Sequence, residues 1–196
     1  MASNYRGVNL MHAIPDVTGA FDMTCPAGTD IWDKPPSIHD FNAPLIYQST
    51  TKDAFISATV TVSANFKDEF DQGGICLAIK AKDRTRWVKA SIEVVHGVPG
   101  VCTVVKDDWA DASLREMFDG WTQLVTVEVR LSDDGSLTVH AFGPNGQHAS
   151  LREITWWGAI PGDTEIWVGP YVAKPAPNGE KGDFTAHFEG LSIKTR

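Results

Sequence analysis

No stretch of this 196-residue chain approaches the ~18 consecutive apolar residues of a bilayer span, so a membrane partner is not expected. Clusters of Lys and Arg are also missing, and the formal net charge is −8. A chain of that charge repels phosphate backbones and anionic lipid, which excludes nucleic acid as an expected partner. Cysteine is scarce: Cys25, Cys76 and Cys102 make an odd count without CxxC spacing, and they read as buried free thiols. The N-terminus lacks an apolar segment of the length a secretory signal needs, so the expected compartment is the cytoplasm.

Catalytic signatures are sparse too. The six histidines show neither HxH nor HExxH spacing, and no GxSxG, phosphate loop or dinucleotide fingerprint occurs, so neither a metal nor a cofactor is expected. Asp68, Glu69 and Asp71, or Asp107, Asp108 and Asp111, carry oxygen ligands of the kind calcium takes, but without the order of a calcium loop. They read as solvated loop acids. Glycoside hydrolysis needs two carboxylates flanking the scissile bond, and no strand offers an ExDxxE-like pair.

What the chain has is alternation. Phe55 to Ala64 sets Ile56, Ala58, Val60 and Val62 against Ser57, Thr59, Thr61 and Ser63, the pattern of a half-buried strand. Trp121 to Leu131 alternates likewise, and Asp133, Asp134 and Gly135 turn it into a partner strand at Leu137 to Phe142. Further strands are predicted at 75–80, 101–106, 165–172 and 184–193. Gly- and Pro-containing turns recur every dozen residues or so. One helix is predicted: Ser113 to Glu116 has capping-box spacing, with a stop at Asp119 and Gly120. Residues 26–44 form a long Pro-rich connection. Short strands without strand–helix alternation predict a single all-β domain over 1–196, two antiparallel sheets packed together with one short helix.

The segment Trp87 to Glu93 carries the most chemistry. Trp87, Lys89, Ser91 and Glu93 share one parity, and Val88, Ala90, Ile92 and Val94 the other. The apolar side suits a core, while the polar side presents an indole, an ammonium, a hydroxyl and a carboxylate, the groups of a ligand-binding floor. Residues four apart on a strand lie about 13 Å apart, too far for Lys89 to pair directly with Glu93. Lys89 does reach the Trp87 ring. On this reading Trp87→Ala removes binding with little loss of stability. Among seven tryptophans, Trp121 and one of Trp156 and Trp157 are assigned to packing, leaving Trp87, Trp109 and Trp167 as groove candidates.

An ordered set of motifs accompanies this strand: Asp71, Gln72, Gly73 and Gly74; Trp87, Lys89 and Glu93; Val104 and Val105 with Asp108 and Trp109; and Val168, Gly169, Pro170 and Tyr171 with Pro175. The set resembles that of the regulation-of-enolase-like proteins, a family of unknown function in the concanavalin A-like superfamily. The resemblance implies a jelly-roll sandwich with a concave face, adds Asp71 and Tyr171 to the ligand-binding candidates, and suggests a link to sugar metabolism. The Asp107 to Ala110 stretch and the insert 111–120 depart from the family pattern at the site's rim. The function expected is binding of a carbohydrate or similar small molecule without transforming it. The alternative is an enzyme in which Glu93 moves a proton, with Lys89 or His96 stabilising charge on a small apolar substrate. A conventional hydrolase ranks below both.

Overall fold

A computed structural model of the chain describes residues 4–82, 84–117, 123–175 and 182–196. Fifteen strands follow in order: β1 (Tyr5–Val8), β2 (Phe21–Cys25), β3 (Ile31–Lys34), β4 (Ile38–Phe41), β5 (Leu45–Thr51), β6 (Phe55–Ala64), β7 (Gln72–Lys80), β8 (Thr85–Val95), β9 (Val98–Lys106), β10 (Ala110–Glu116), β11 (Leu124–Leu131), β12 (Leu137–Phe142), β13 (His148–Ile154), β14 (Glu165–Ala173) and β15 (Phe184–Thr195). A 3-10 turn at Thr155–Ala159 joins β13 to β14. None of the described helices is long and apolar enough to cross a membrane.

Two antiparallel sheets make the body. One runs β1-β5-β14-β7-β8-β9-β10 and the other β13-β12-β11-β6-β15-β2, with β3 and β4 forming a separate small sheet. The expected all-β sandwich is therefore present. Its core lies between the sheets, where Val88, Ala90, Ile92 and Val94 of β8 meet Val60 and Val62 of β6 and Val125, Val127 and Val129 of β11 within one apolar cluster. The expected β11–β12 hairpin forms, with Leu131 opposite Leu137 and Gly135 at φ +87 in its turn.

Three expectations need correction. Ile56 is exposed and Phe55 buried, because a register irregularity at Lys194 and Thr195 of the neighbouring β15 shifts the parity at the start of β6. The helix expected from Ser113 is an edge strand instead. Ala110 to Glu116 pair residue by residue with β9, and the Ser113 hydroxyl accepts a hydrogen bond from Arg152 at 2.9 Å, so it caps nothing. The acids Asp68 and Asp71 are buried, not solvated: both neutralise the buried Lys174, with Asp71 at 3.3 Å from its Nζ. Trp121, Asp119 and Gly120 lie outside the described residues, whereas Trp157 takes the packing role expected of one of the adjacent pair.

Candidate functional site

Strand β8 presents its quartet as the alternation requires, on the side of the seven-stranded sheet that faces away from the sandwich core. That side is not open. Trp87 is 1% exposed, Lys89 1% and Ser91 0%, and only Glu93 is half-buried. The reason is the segment expected to be a plain Pro-rich connection. It folds into β3 and β4 and packs across the sheet, sealing a second apolar cluster of Ile31, Leu45, Tyr47, Trp87, Val104 and Tyr171. The strand is thus buried on both faces, which corrects the half-buried reading. It also corrects the expectation that Trp87→Ala leaves stability nearly intact.

Within this second cluster the polar groups form a network. The Lys89 ammonium donates to Gln72 Oε1 at 2.8 Å, and the Tyr171 hydroxyl donates to the same oxygen at 2.9 Å. Gln72 Nε2 donates in turn to Asp30 Oδ1 at 3.4 Å, and Asp30 lies 3.6 Å from Lys89 Nζ. Lys89 also sits over the Trp87 ring at 5.4 Å and the Tyr171 ring at 5.6 Å, so its charge is held by two π faces, an amide and one carboxylate. A second ion pair, Lys106 with Asp33, pins the cover at the Trp87 end. Gly74 lies opposite Ser91 and so close to β8 that a Cβ would collide with the Ala90 carbonyl oxygen. No other residue fits there.

At the opposite end the network stops short of completion. The Ser91 hydroxyl neighbours Tyr171 and the Glu93 carboxyl neighbours the Cys102 thiol, but neither Ser91 Oγ nor Glu93 Oε2 makes a well-formed hydrogen bond. Burial pushes the Glu93 carboxyl above the ordinary carboxylate range, with the Lys89 charge pulling the other way. Burial raises the Tyr171 phenol as well. All three cysteines are free and buried, and desolvation lifts Cys25 and Cys76 to about 12, so neither is a thiolate near neutrality.

The remaining candidates are dispersed. Tyr171 belongs to the quartet's network. Asp71 does not: it is held by Lys174 and the backbone N–H of Asp68. Trp167 stacks on Tyr47 at 4.3 Å and donates its indole N–H to Glu165 at 2.9 Å. Trp109 is 39% exposed on the β9–β10 turn, stacked against His39 of the cover at 5.4 Å. His96 occupies a left-handed turn position at φ 54, its N–H and that of Gly97 both bound to Glu69. Sequence reasoning missed Gln72 as the hub of the network and Asp30 as its carboxylate. The parity of β7 was the available signal for Gln72; Asp30 sits in a loop without periodicity.

Comparison with known proteins places this architecture. Residues 13–196 match the model of a family described as a protein of unknown function, DUF1349. The chain belongs to the DUF1349 family. An uncharacterised protein of Emericella nidulans is 37% identical over 196 residues, covering 98% of this chain and 96% of its own length. A functionally unknown protein from Saccharomyces cerevisiae superposes with a TM-score of 0.79 at 20% identity, over 98% of this chain and 97% of that one. An alginate lyase from Pseudomonas aeruginosa matches with a TM-score of 0.59 at 14% identity, over 89% and 82% of the two chains. The fold of this DUF1349 chain is a jelly-roll sandwich, and likeness at that identity concerns the fold alone.

In chemical terms, the covered face of this DUF1349 chain holds a satisfied structural centre, Lys89 with Gln72 and Tyr171, and an unsatisfied edge, Ser91 with Glu93. Among the described residues of β8, that edge has hydrogen-bonding capacity left to offer a ligand.

Proposed function

We propose that the protein binds a carbohydrate or similar small polar molecule at the Glu93 end of the concave face and does not transform it. One observation carries this reading: Ser91 Oγ and Glu93 Oε2 are buried on the same face without a well-formed hydrogen bond, beside only the Tyr171 hydroxyl and the weakly donating Cys102 thiol. Each such group costs about 1–3 kcal/mol when left unpaired, a cost that a ligand hydroxyl relieves. Half-exposed Leu114 on β10, opposite Cys102, borders the same end, giving an apolar edge beside the polar pair. Trp87, Lys89 and Tyr171 then act from beneath, fixing the floor. Trp109 and Trp167 lie at the opposite, Trp87 end of β8, away from this ligand, and Asp71 supports the turn that leads into β7. The protein works as one domain in the cytoplasm, a setting consistent with its three unpaired thiols. Kinship with the regulation-of-enolase-like proteins, and with it a tie to sugar metabolism, is part of the same proposal.

A second reading has its own support. A Glu93 carboxyl raised by burial is suited to proton transfer on a bound substrate, with Lys89 as the nearby positive charge. The two readings separate on substitution. Titration with neutral and acidic oligosaccharides and with apolar polycycles, followed by tryptophan fluorescence, should reveal a ligand whose affinity falls about tenfold in Ser91→Ala, which is nearly isosteric. Glu93→Gln should weaken a binder modestly but cost an enzyme about 10² to 10⁴ in turnover. Unchanged affinity in both variants rules the site out.

A further inference from the structure

At the far end of the seven-stranded sheet from Glu93, the ends of β7, β8, β9 and β14 and the turn after β13 enclose an open cleft of about 580 Å³. That volume lies within the ~300–1,000 Å³ range of small-molecule sites, and no segment among the described residues covers it as β3 and β4 cover the face of β8. Its walls carry three bases, Lys80, Lys82 and Arg86, and three acids, Asp107, Asp163 and Glu165. Formal charge among the described lining residues therefore balances, although the whole chain is strongly acidic.

Most of those charges are already oriented by the protein. Arg86 Nε donates to Asp107 at 2.7 Å. The Glu165 carboxylate accepts from the Ser49 hydroxyl at 2.6 Å and from the Trp167 indole at 2.9 Å, and these bonds hold its pKa below the usual range. Lys80 lies over the Trp167 ring at 4.4 Å. The polar arms are thus fixed on strand ends before any ligand arrives, which lowers the ordering cost of binding. Trp156 and Pro161 supply an apolar wall between the arms.

We propose that this cleft is a second binding site, separate from the concave face, for a neutral polyhydroxylated ligand, the unit of an uncharged oligosaccharide. A ligand of net negative charge meets Asp107, Asp163 and Glu165, and one of net positive charge meets Lys80, Lys82 and Arg86. A neutral polyol uses both sets, because each hydroxyl donates to a carboxylate and accepts from a cation. The carbon-bound hydrogens of a sugar ring pack on the Trp156 indole.

The test is ¹⁵N NMR of the full chain titrated with cellotetraose, maltotetraose and mannotetraose, with tri-galacturonate as the charged comparison. The Trp156 indole N–H resonance should move saturably with at least one neutral sugar and less with the uronate. Trp156→Ala should weaken that binding about tenfold. Asp163→Ala and Lys82→Ala, both at exposed positions, should each weaken it several-fold while leaving the spectrum of the free protein folded. Saturable shifts confined to residues around Ser91 and Glu93 overturn this proposal while supporting the concave-face reading. Stronger binding of tri-galacturonate, or no response at Trp156 to any neutral sugar, also overturns it.

Discussion

The two sides of β8 are buried almost equally and made of opposite materials. Val88, Ala90, Ile92 and Val94 face the other sheet inside an all-apolar cluster. Trp87, Lys89 and Ser91 face the β3–β4 cover at 0–1% exposure, in a layer that mixes aromatic rings with an ammonium and hydroxyls. Polar alternation along a strand is usually taken to mark the solvent side. Here it marks a second core, and its buried ammonium is retained because Gln72, Asp30 and the Tyr171 ring satisfy it. Alternation reports which residues share a face; what covers that face is decided elsewhere in the chain.

If both faces are true cores, truncation should cost about the same on each. Trp87→Ala should lose about 3–5 kcal/mol in urea unfolding, alongside about 2–5 kcal/mol for Ile92→Ala on the opposite face. A cost below about 1 kcal/mol for Trp87→Ala breaks the comparison, because it means the cover adds no packing.

Lys89 sharpens it. Lys89→Ala empties the volume of the stem and leaves Gln72 and Asp30 without their cation, for an expected loss of about 2–3 kcal/mol; Asp30 is partly exposed, so water softens its part. Lys89→Met keeps the stem's volume between the Trp87 and Tyr171 rings and should stay within about 1 kcal/mol of the parent. If Met is as costly as Ala, the charge itself, not the packed stem, holds this face together.

These contrasts also explain how much the sequence revealed. The strand at Phe55–Ala64, the Leu131–Leu137 hairpin and the shared face of Trp87, Lys89, Ser91 and Glu93 rest on contacts or alternation within a few residues, and periodicity captures those. The cover escaped because Ile31, Trp32 and Phe41 are scattered among Asp, Pro and His without a period, and they become apolar contacts only when laid on a distant sheet. The network escaped for the same reason: Tyr171 and Gln72 are 99 residues apart. The edge strand β10 was misread as a helix because capping-box spacing is local, whereas the open edge of β9 that recruits it is not. The sandwich-end cleft gathers residues from four strand ends and a turn, so no single segment announces it.

The smallest expected effect separates the two faces by charge. Val88, Ala90, Ile92 and Val94 carry no titratable group, so between these four and the quartet opposite them the pH dependence comes from the quartet side, and Glu93 supplies it. Its carboxyl is raised in the folded protein, chiefly by burial, while in the unfolded chain it titrates near the ordinary ~4.3. Below that value both states hold the proton and Glu93 contributes its full share of stability. As pH climbs from ~4.3 through the raised folded value, the unfolded chain ionises first and that share is lost. Glu93→Gln cannot ionise. The stability of the variant relative to the parent should therefore rise between about pH 4 and about pH 8, a double difference that cancels the other carboxylates. Urea unfolding of both proteins at the two pH values checks it. The reverse slope would mean that the Lys89 charge outweighs burial at Glu93, so that the carboxylate is stabilised in the fold and is no poised acid.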